Sequence, residues 1–159
     1  MTFMLIDFNN KTGFTQVPGA TPDIRSIIGG DAWFQVAIQV LPETTSLWDS
    51  AFVFASIAAS VYDTNVVQFY LKSQVTFWRP LTAIRQGDAQ HPPDPTWSPV
   101  QLTLDAEYPS GAVVIATAGI HALESYLGTS DVSFTLTRLG VTRTFRSLYE
   151  YTDFVAEFR

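Results

Sequence analysis

Apolar residues recur at helical spacing along most of the chain, and this pattern predicts a mainly α protein. Residues 31–41 favour a helix with Asp31 as its N-cap. A second helix is predicted over residues 42–63, because proline is tolerated in a first turn and Glu43 complements the helix dipole there. Within that segment, the run AFVFASIAASVY predicts a helix buried in the core and too short to span a bilayer.

Two more helices follow from the same spacing. Residues 64–78 contain an apolar stripe, and Pro80 marks where that helix should end. A helix over residues 111–126 is predicted with Ser110 as its N-cap and Gly128 as its stop signal. Aromatic residues near the end of the 64–78 stretch are expected in the core, and they are Phe69, Tyr70, Phe77 and Trp78.

Other parts of the chain depart from the helical pattern. Residues 132–146 alternate apolar and polar positions, which predicts a short extended pair, and the segment after it is helical in character. Residues 86–109 carry five of the nine prolines and predict a long loop, and loops of this length are usually either functional or disordered. We therefore predict an irregular segment over 1–30 and one helical domain over 31–159.

Composition narrows the possible functions. Charged residues make up 15% of the chain, below the roughly 25% typical of soluble domains, so much of it should be buried internally or against a partner. A net charge of −6 argues against nucleic acid as a ligand. The N-terminus lacks the pattern of a secretory signal, and we expect a soluble chain without a transmembrane segment.

A pair of cations is the first candidate for chemistry. Lys72 and Arg79 lie seven residues apart, which is about two helical turns, so one helix would project both from the same face. Such a pair is stabilised by an anion or a carboxylate between its members. The alternative is that both side chains extend to solvent from an ordinary helix.

A turn before a helix is the second candidate. Pro109, Ser110 and Gly111 precede an apolar helix, whose first backbone N–H groups have no partner within the helix. Glycine allows a ligand to approach the backbone closely, and helix N-termini bind phosphate-like anions. The alternative is an ordinary capping serine.

The two candidates together resemble the superfamily of vanadium-dependent haloperoxidases and type-2 phosphatidic acid phosphatases. Its first signature block is a Lys, six residues, then Arg-Pro, and its second is Pro-Ser-Gly-His. The wider resemblance is to the soluble haloperoxidase-like branch, and it is carried by Lys72, FWRPLTAIRQGD at 77–88, Trp97-Ser98-Pro99, EYPSG at 107–111 and GVTRTFRS at 140–147.

This resemblance implies a fold and an oxyanion site. The fold would be an incomplete helical bundle of the haloperoxidase and acid phosphatase type, with the short extended pair near 132–146. Phosphate or vanadate oxygens would be bound by Lys72, Arg79, Ser110, Gly111 and Arg159, with vanadate as the implied cofactor and phosphate or vanadate as the expected partner.

The sequence departs from the superfamily pattern at its catalytic histidines. Ala112 stands where the second block has its acid–base His, and alanine has no proton to transfer. Phe158 and Arg159 fall where the third block begins with Ser-Arg, and no residue corresponds to its nucleophilic or vanadium-ligating His. The two histidines present, His91 and His121, are expected on a surface loop and on the far side of the 111–126 helix.

Three functions are consistent with these residues. The chain could be a fragment of a haloperoxidase- or phosphatase-like enzyme, lacking the C-terminal part of the family domain. It could be a domain that binds an oxyanion with impaired catalysis. It could also be a scaffold that buries its apolar surface in a homo-oligomer.

Overall fold

A computed structural model describes residues 32–99, 106–138 and 140–157 of the 159-residue chain. The predicted irregular segment at 1–30 and the predicted cap at Asp31 lie outside the described residues. The described elements are α1 Ala32–Val40, α2 Leu47–Gln74, α3 Pro80–Gln86, α4 Gly111–Leu127, β1 Phe134–Arg138, β2 Val141–Phe145 and α5 Leu148–Glu157.

This architecture confirms the predicted mainly α fold with one extended pair. The strands β1 and β2 form an antiparallel hairpin inside the predicted range 132–146, with Phe134 opposite Phe145. Helix α4 lies where it was predicted, and Gly128 ends it in the left-handed conformation with φ 72°. Glycine adopts this conformation at little cost, which explains why the stop signal could be identified from sequence.

Helix α2 corrects the prediction of two helices over 42–63 and 64–78. It is one helix of 28 residues that begins after Ser46, whose Oγ accepts a hydrogen bond from the backbone N of Asp49 at 3.0 Å. Pro42 lies in a turn before it, because Thr45 N donates to Pro42 O at 2.9 Å. The sequence has no glycine or proline from 47 to 79, so nothing in it interrupts the backbone hydrogen bonds near residue 63.

The end of α2 also differs from the prediction. The helix stops at Gln74 rather than at residue 78, and Val75 N donates the last hydrogen bond to Leu71 O at 2.8 Å. Arg79 is extended, as expected for a residue before proline. Pro80 then begins α3, because its fixed φ suits a first helical position. The prediction treated Pro80 only as a terminator and therefore missed α3.

The apolar core lies at one end of the molecule, where the first half of α2 packs on the second half of α4. Helix α1 covers this pair, α5 packs on α4, and the hairpin packs on α1 and α5. Tyr151 contacts the rings of Trp33 and Phe145 edge-on, with both centroid distances at 5.2 Å. Edge-to-face pairs of this kind stabilise a core beyond their buried area. The fully buried large side chains are Trp33, Val36, Val53, Ile57, Ile120, Leu123, Leu136, Phe145, Leu148, Tyr151 and Val155.

A side-chain amide joins α1 to the hairpin. Gln39 Nε2 donates to Thr135 O at 2.8 Å, and Thr135 N donates to Gln39 Oε1 at 2.9 Å. The amide thus replaces the neighbouring strand that β1 lacks on this side, within the described residues. This pairing holds the hairpin against the helices.

Helix α2 is far less buried than its apolar sequence suggests. In the stretch 51–62, predicted as a buried core helix, only Val53 and Ile57 are buried. The four aromatic residues expected in the core are exposed as well: Phe69, Tyr70, Phe77 and Trp78. These residues are apolar, but no described element covers them, because the described elements pack on one side of α2 only.

The length and composition of α2 also bear on the membrane question. Among the described residues, it is the helix long and apolar enough to cross a membrane, with an 18-residue window of mean hydropathy 1.3 that is 11% buried. The sequence argument that no apolar run is long enough therefore does not apply to the folded helix. The absence of a transmembrane segment stays a prediction.

We expect Gly119→Ala to destabilise the fold. A methyl group there would overlap three atoms of the Trp33 indole, which is fully buried. Overpacking costs about 1–3 kcal/mol, against about 1 kcal/mol of gained helix propensity, so we expect a net loss of up to about 2 kcal/mol in the free energy of unfolding. Urea denaturation measures it.

Trp33→Phe supplies the matched control, because phenylalanine lacks the indole Nε1 and its smaller ring leaves more room for the methyl group. The double variant should lose less stability than the sum of the two single variants. Additive losses would contradict this account of the contact.

Candidate functional site

The candidate site lies at the opposite end from the core, where the second half of α2 meets the start of α4. The two helices pack antiparallel, so Gln68 of α2 contacts Gly111, the first residue of α4. Gln68 and Lys72 are the two buried residues in this half of α2. Both are polar, and they are one helical turn apart, so α2 turns a polar face toward the N-terminus of α4.

Lys72 is buried rather than extended to solvent. Its exposed fraction is 7%, and its Nζ donates a short hydrogen bond to the carbonyl of Ala106. The ammonium therefore stays beside the segment that leads into α4. This geometry argues against the alternative in which Lys72 reaches solvent from an ordinary helix.

Arg79 lies on the same segment but not on the same helix as Lys72. The predicted shared helical face is wrong, because α2 ends at Gln74 and Arg79 occupies the N-cap position of α3. Arg79 Nη1 lies 2.9 Å from Glu107 Oε2. The backbone N of Glu107 also donates to Phe77 O at 3.2 Å. Both predicted cations therefore lie beside residues 106–107, although they do not share a helical face as the spacing predicted.

Ser110 and Gly111 form the start of α4 as predicted. Ser110 has the extended conformation of an N-cap residue, and its carbonyl accepts from Val114 N at 3.1 Å. Its hydroxyl makes no capping hydrogen bond with the described residues, which corrects the expectation of a capping side chain. A Cβ atom at Gly111 would lie 2.5 Å from Gln68 Oε1, so a larger residue here would displace the Gln68 amide.

Gln68 is a site residue that the sequence analysis missed. Its exposed fraction is 4%, and its Nε2 donates to Asn65 Oδ1 at 2.6 Å. The available signal was a polar residue about one helical turn before Lys72, between the apolar residues Val67 and Phe69. Amides are common on helix surfaces, so this signal becomes informative only once α4 is known to cover it.

Of the remaining predicted residues, Ala112 lies at the site and His121 lies away from it. Ala112 follows Gly111 and packs half-buried against the core. His121 is exposed and lies about 15 Å farther along α4, given 1.5 Å of rise per residue. Arg159, the fifth predicted oxyanion ligand, lies outside the described residues, as does Phe158.

His91 lies on the loop after α3 and is engaged there. Its Nδ1 is 2.9 Å from Asp88 Oδ1, and its side chain is 74% exposed. Hydrogen bonds from the backbone N–H groups of Gln90 and His91 lower the pKa of the Asp88 carboxyl. Asp88 therefore stays ionised and orders the loop, which agrees with the expected surface position of His91.

The described donors fit a tetrahedral oxyanion better than a vanadium centre. A cation and a helix N-terminus can bind anionic oxygens. Vanadium in this superfamily needs a nitrogen ligand, yet both histidines of the chain are exposed, and His121 is distant from Gly111. No group of three His, Cys, Asp or Glu side chains within the described ranges could hold a metal ion.

These features define a helical-bundle domain. The sequence profile of the VCPO second helical-bundle domain matches residues 52–154, which is more than half of the chain. The chain belongs to this family, within the vanadium haloperoxidase-like superfamily. No curated protein and no solved structure matches the chain.

We expect Glu107→Gln to strengthen phosphate binding at this site. The carboxylate competes with an added anion for Arg79 and repels it, so its removal should raise the affinity roughly 3- to 10-fold at low ionic strength. Calorimetric titration with phosphate measures the change. Glu124→Gln is the matched control, since Glu124 has the same 32% side-chain exposure but lies in the last turn of α4. Weaker binding in Glu107→Gln would show that Glu107 positions Arg79 instead.

Proposed function

We propose that this domain binds an inorganic oxyanion, phosphate or vanadate, and that its catalysis is impaired. The observation that carries the proposal is the buried Lys72 ammonium beside the segment that starts α4. Burying a charged group is costly unless its surroundings compensate it. An anion at the start of α4 would add to that compensation, and the helix N-terminus would stabilise it in turn.

Each proposed ligand residue has a separate role. Lys72 and Arg79 supply positive charge, the Ser110 hydroxyl and Gly111 N–H supply neutral donors, and Arg159 would add a further cation. Fixed donors of this kind also match the charge that develops in phosphoryl transfer. Vanadate would be held as an oxyanion by the same residues.

The described residues give less support to catalysis than to anion binding. Ala112 cannot donate or accept a proton, and a general acid or base must lie within hydrogen-bond reach of the reacting group. His121 is exposed and lies about 15 Å along α4 from Gly111. The described residues therefore support binding of the anion and give no route for its protonation or covalent capture by histidine.

Isothermal titration with phosphate and orthovanadate tests the proposal. We expect both anions to bind, and Lys72→Met and Arg79→Ala each to weaken binding roughly 10- to 100-fold, because a charge-assisted hydrogen bond contributes about 1.5–3 kcal/mol. Phosphatase and bromide-oxidation assays should show no turnover.

Arg85→Ala controls for the loss of an arginine as such. Arg85 lies on α3, is exposed, and donates from Nε to Trp97 O at 2.8 Å, so its removal should leave phosphate affinity unchanged. Thermal melting of each variant establishes that it is folded. Absence of anion binding, or equal weakening by Arg85→Ala, would refute the proposal.

The exposed side of α2 favours self-association as a second function. Seven exposed apolar residues follow alternating spacings of four and three along it, and they are Trp48, Phe52, Ala55, Ala59, Tyr62, Val66 and Phe69. Such heptad spacing is typical of a helix that packs along another helix. We call these seven residues the α2 seam. The seam of a second copy of the chain can pair with it around a two-fold axis, so we propose a homodimer as the alternative function.

Light scattering coupled to size exclusion tests the dimer. The wild-type chain should show twice the mass of one chain, and Tyr62→Glu should reduce it to a monomer, because a charge would be buried in the seam. Ile38→Glu is the control, since Ile38 is 69% exposed, like Tyr62, but lies on α1 outside the seam. A monomeric wild-type chain would exclude this function.

A further inference from the structure

Gln68 carries a buried hydrogen-bond acceptor that no described residue satisfies. Its Oε1 atom is inaccessible to solvent and has no hydrogen-bond partner among the described residues. Leaving a buried acceptor unpaired costs about 1–3 kcal/mol. Such an atom calls for an explanation, and a ligand with a matching donor is one.

The orientation of this amide follows from the hydrogen bonds beneath it. The Val61 carbonyl can only accept, so the atom of Asn65 that lies 2.8 Å from it must be the donor Nδ2. Asn65 therefore turns its Oδ1 toward Gln68 and accepts from Gln68 Nε2 at 2.6 Å. What remains for Gln68 to present is the acceptor, and rotating the amide would place two acceptors against each other.

The free acceptor faces the start of α4. Gln68 Oε1 is 2.5 Å from the position that a Cβ would take at Gly111, and the first N–H groups of this 17-residue helix have no partner within the helix. Gln68 and Pro109 also line a groove of about 400 Å³ between α2 and the start of α4, and the other lining residues are Asp63, Thr64, Val67, Leu71, Tyr108 and Val114. The groove reaches the Gln68 side chain from the surface, with the Asp63 carboxylate among its lining groups.

A bound anion would meet two kinds of atom here. Its unprotonated oxygens suit the N–H donors of α4 and the ammonium of Lys72, whereas an unprotonated oxygen facing Gln68 Oε1 would be repelled. We infer that Gln68 makes the site selective for an oxyanion that keeps a proton at neutral pH, namely hydrogen phosphate or hydrogen vanadate, over sulfate. This inference rests on the proposed oxyanion function and specifies its ligand class.

Phosphate, vanadate and sulfate differ in whether they carry a proton at neutral pH. All are tetrahedral and similar in size, and at neutral pH phosphate and vanadate retain at least one O–H group, while sulfate retains none. The O–H group would donate to Gln68 Oε1, and the other oxygens would accept from the donors opposite. Size and charge alone would not separate monohydrogen phosphate from sulfate, since both are dianions.

Calorimetric titration of the wild-type chain with phosphate, vanadate and sulfate at neutral pH and equal ionic strength tests the inference. We expect phosphate and vanadate to bind at least roughly tenfold more tightly than sulfate, which is the effect of one hydrogen bond gained in place of one repulsion. Gln68→Met preserves the length of the side chain and removes the amide acceptor. It should weaken phosphate binding while leaving sulfate binding unchanged or stronger.

Gln74→Met is the matched control, because it makes the same exchange at an exposed position of α2. It should keep the wild-type preference. Equal affinity of the wild-type chain for phosphate and sulfate would overturn the inference and leave the proposed oxyanion function intact, as would a preference retained in Gln68→Met. Binding of none of the three anions would overturn both. The wild-type comparison needs no substitution, so it decides the matter even where Gln68→Met fails to fold.

Discussion

The close antiparallel contact between α2 and α4 is the constraint on which the rest of the structure depends. Two glycines of α4 make room for its neighbours: Gly119 for the Trp33 ring of α1, and Gly111 for the Gln68 amide of α2. A methyl group at Gly119 would strike a fully buried ring in a tightly packed interior, and one at Gly111 would displace the amide. The first contact consolidates the apolar core, and the second brings a polar face of α2 to the start of α4.

Local signals were sufficient to predict most elements of the fold. The hairpin followed from alternation, and the end of α4 from Gly128, because each depends on a few adjacent residues. The continuity of α2 and the existence of α3 were missed for the same reason. Thr64 and Pro80 were interpreted as boundaries, yet the first is tolerated within a long helix and the second suits a first turn.

The geometry of the candidate site could not be predicted from the sequence. Spacing and the turn before α4 singled out Lys72, Arg79, Ser110 and Gly111, but the inference that one helical face carries both cations was wrong. Their position beside residues 106–107 depends on the non-helical segment between Gln74 and Pro80, where Phe77 pairs with Glu107, and no local pattern encodes that pairing. Gln68 was overlooked because its importance arises from α4, which lies more than forty residues away in sequence.

The unbroken course of α2 has a further consequence for how the domain responds to ligands. One rigid helix carries Val53 and Ile57 in the core and Gln68 and Lys72 at the site, so the two ends cannot change position independently. Any ligand that binds only the folded form stabilises it by mass action. An anion bound at one end would therefore slow amide hydrogen exchange at the other, and local unfolding of the apolar end would lower the anion affinity. Anion binding and folding would in this way be thermodynamically linked through a single helix.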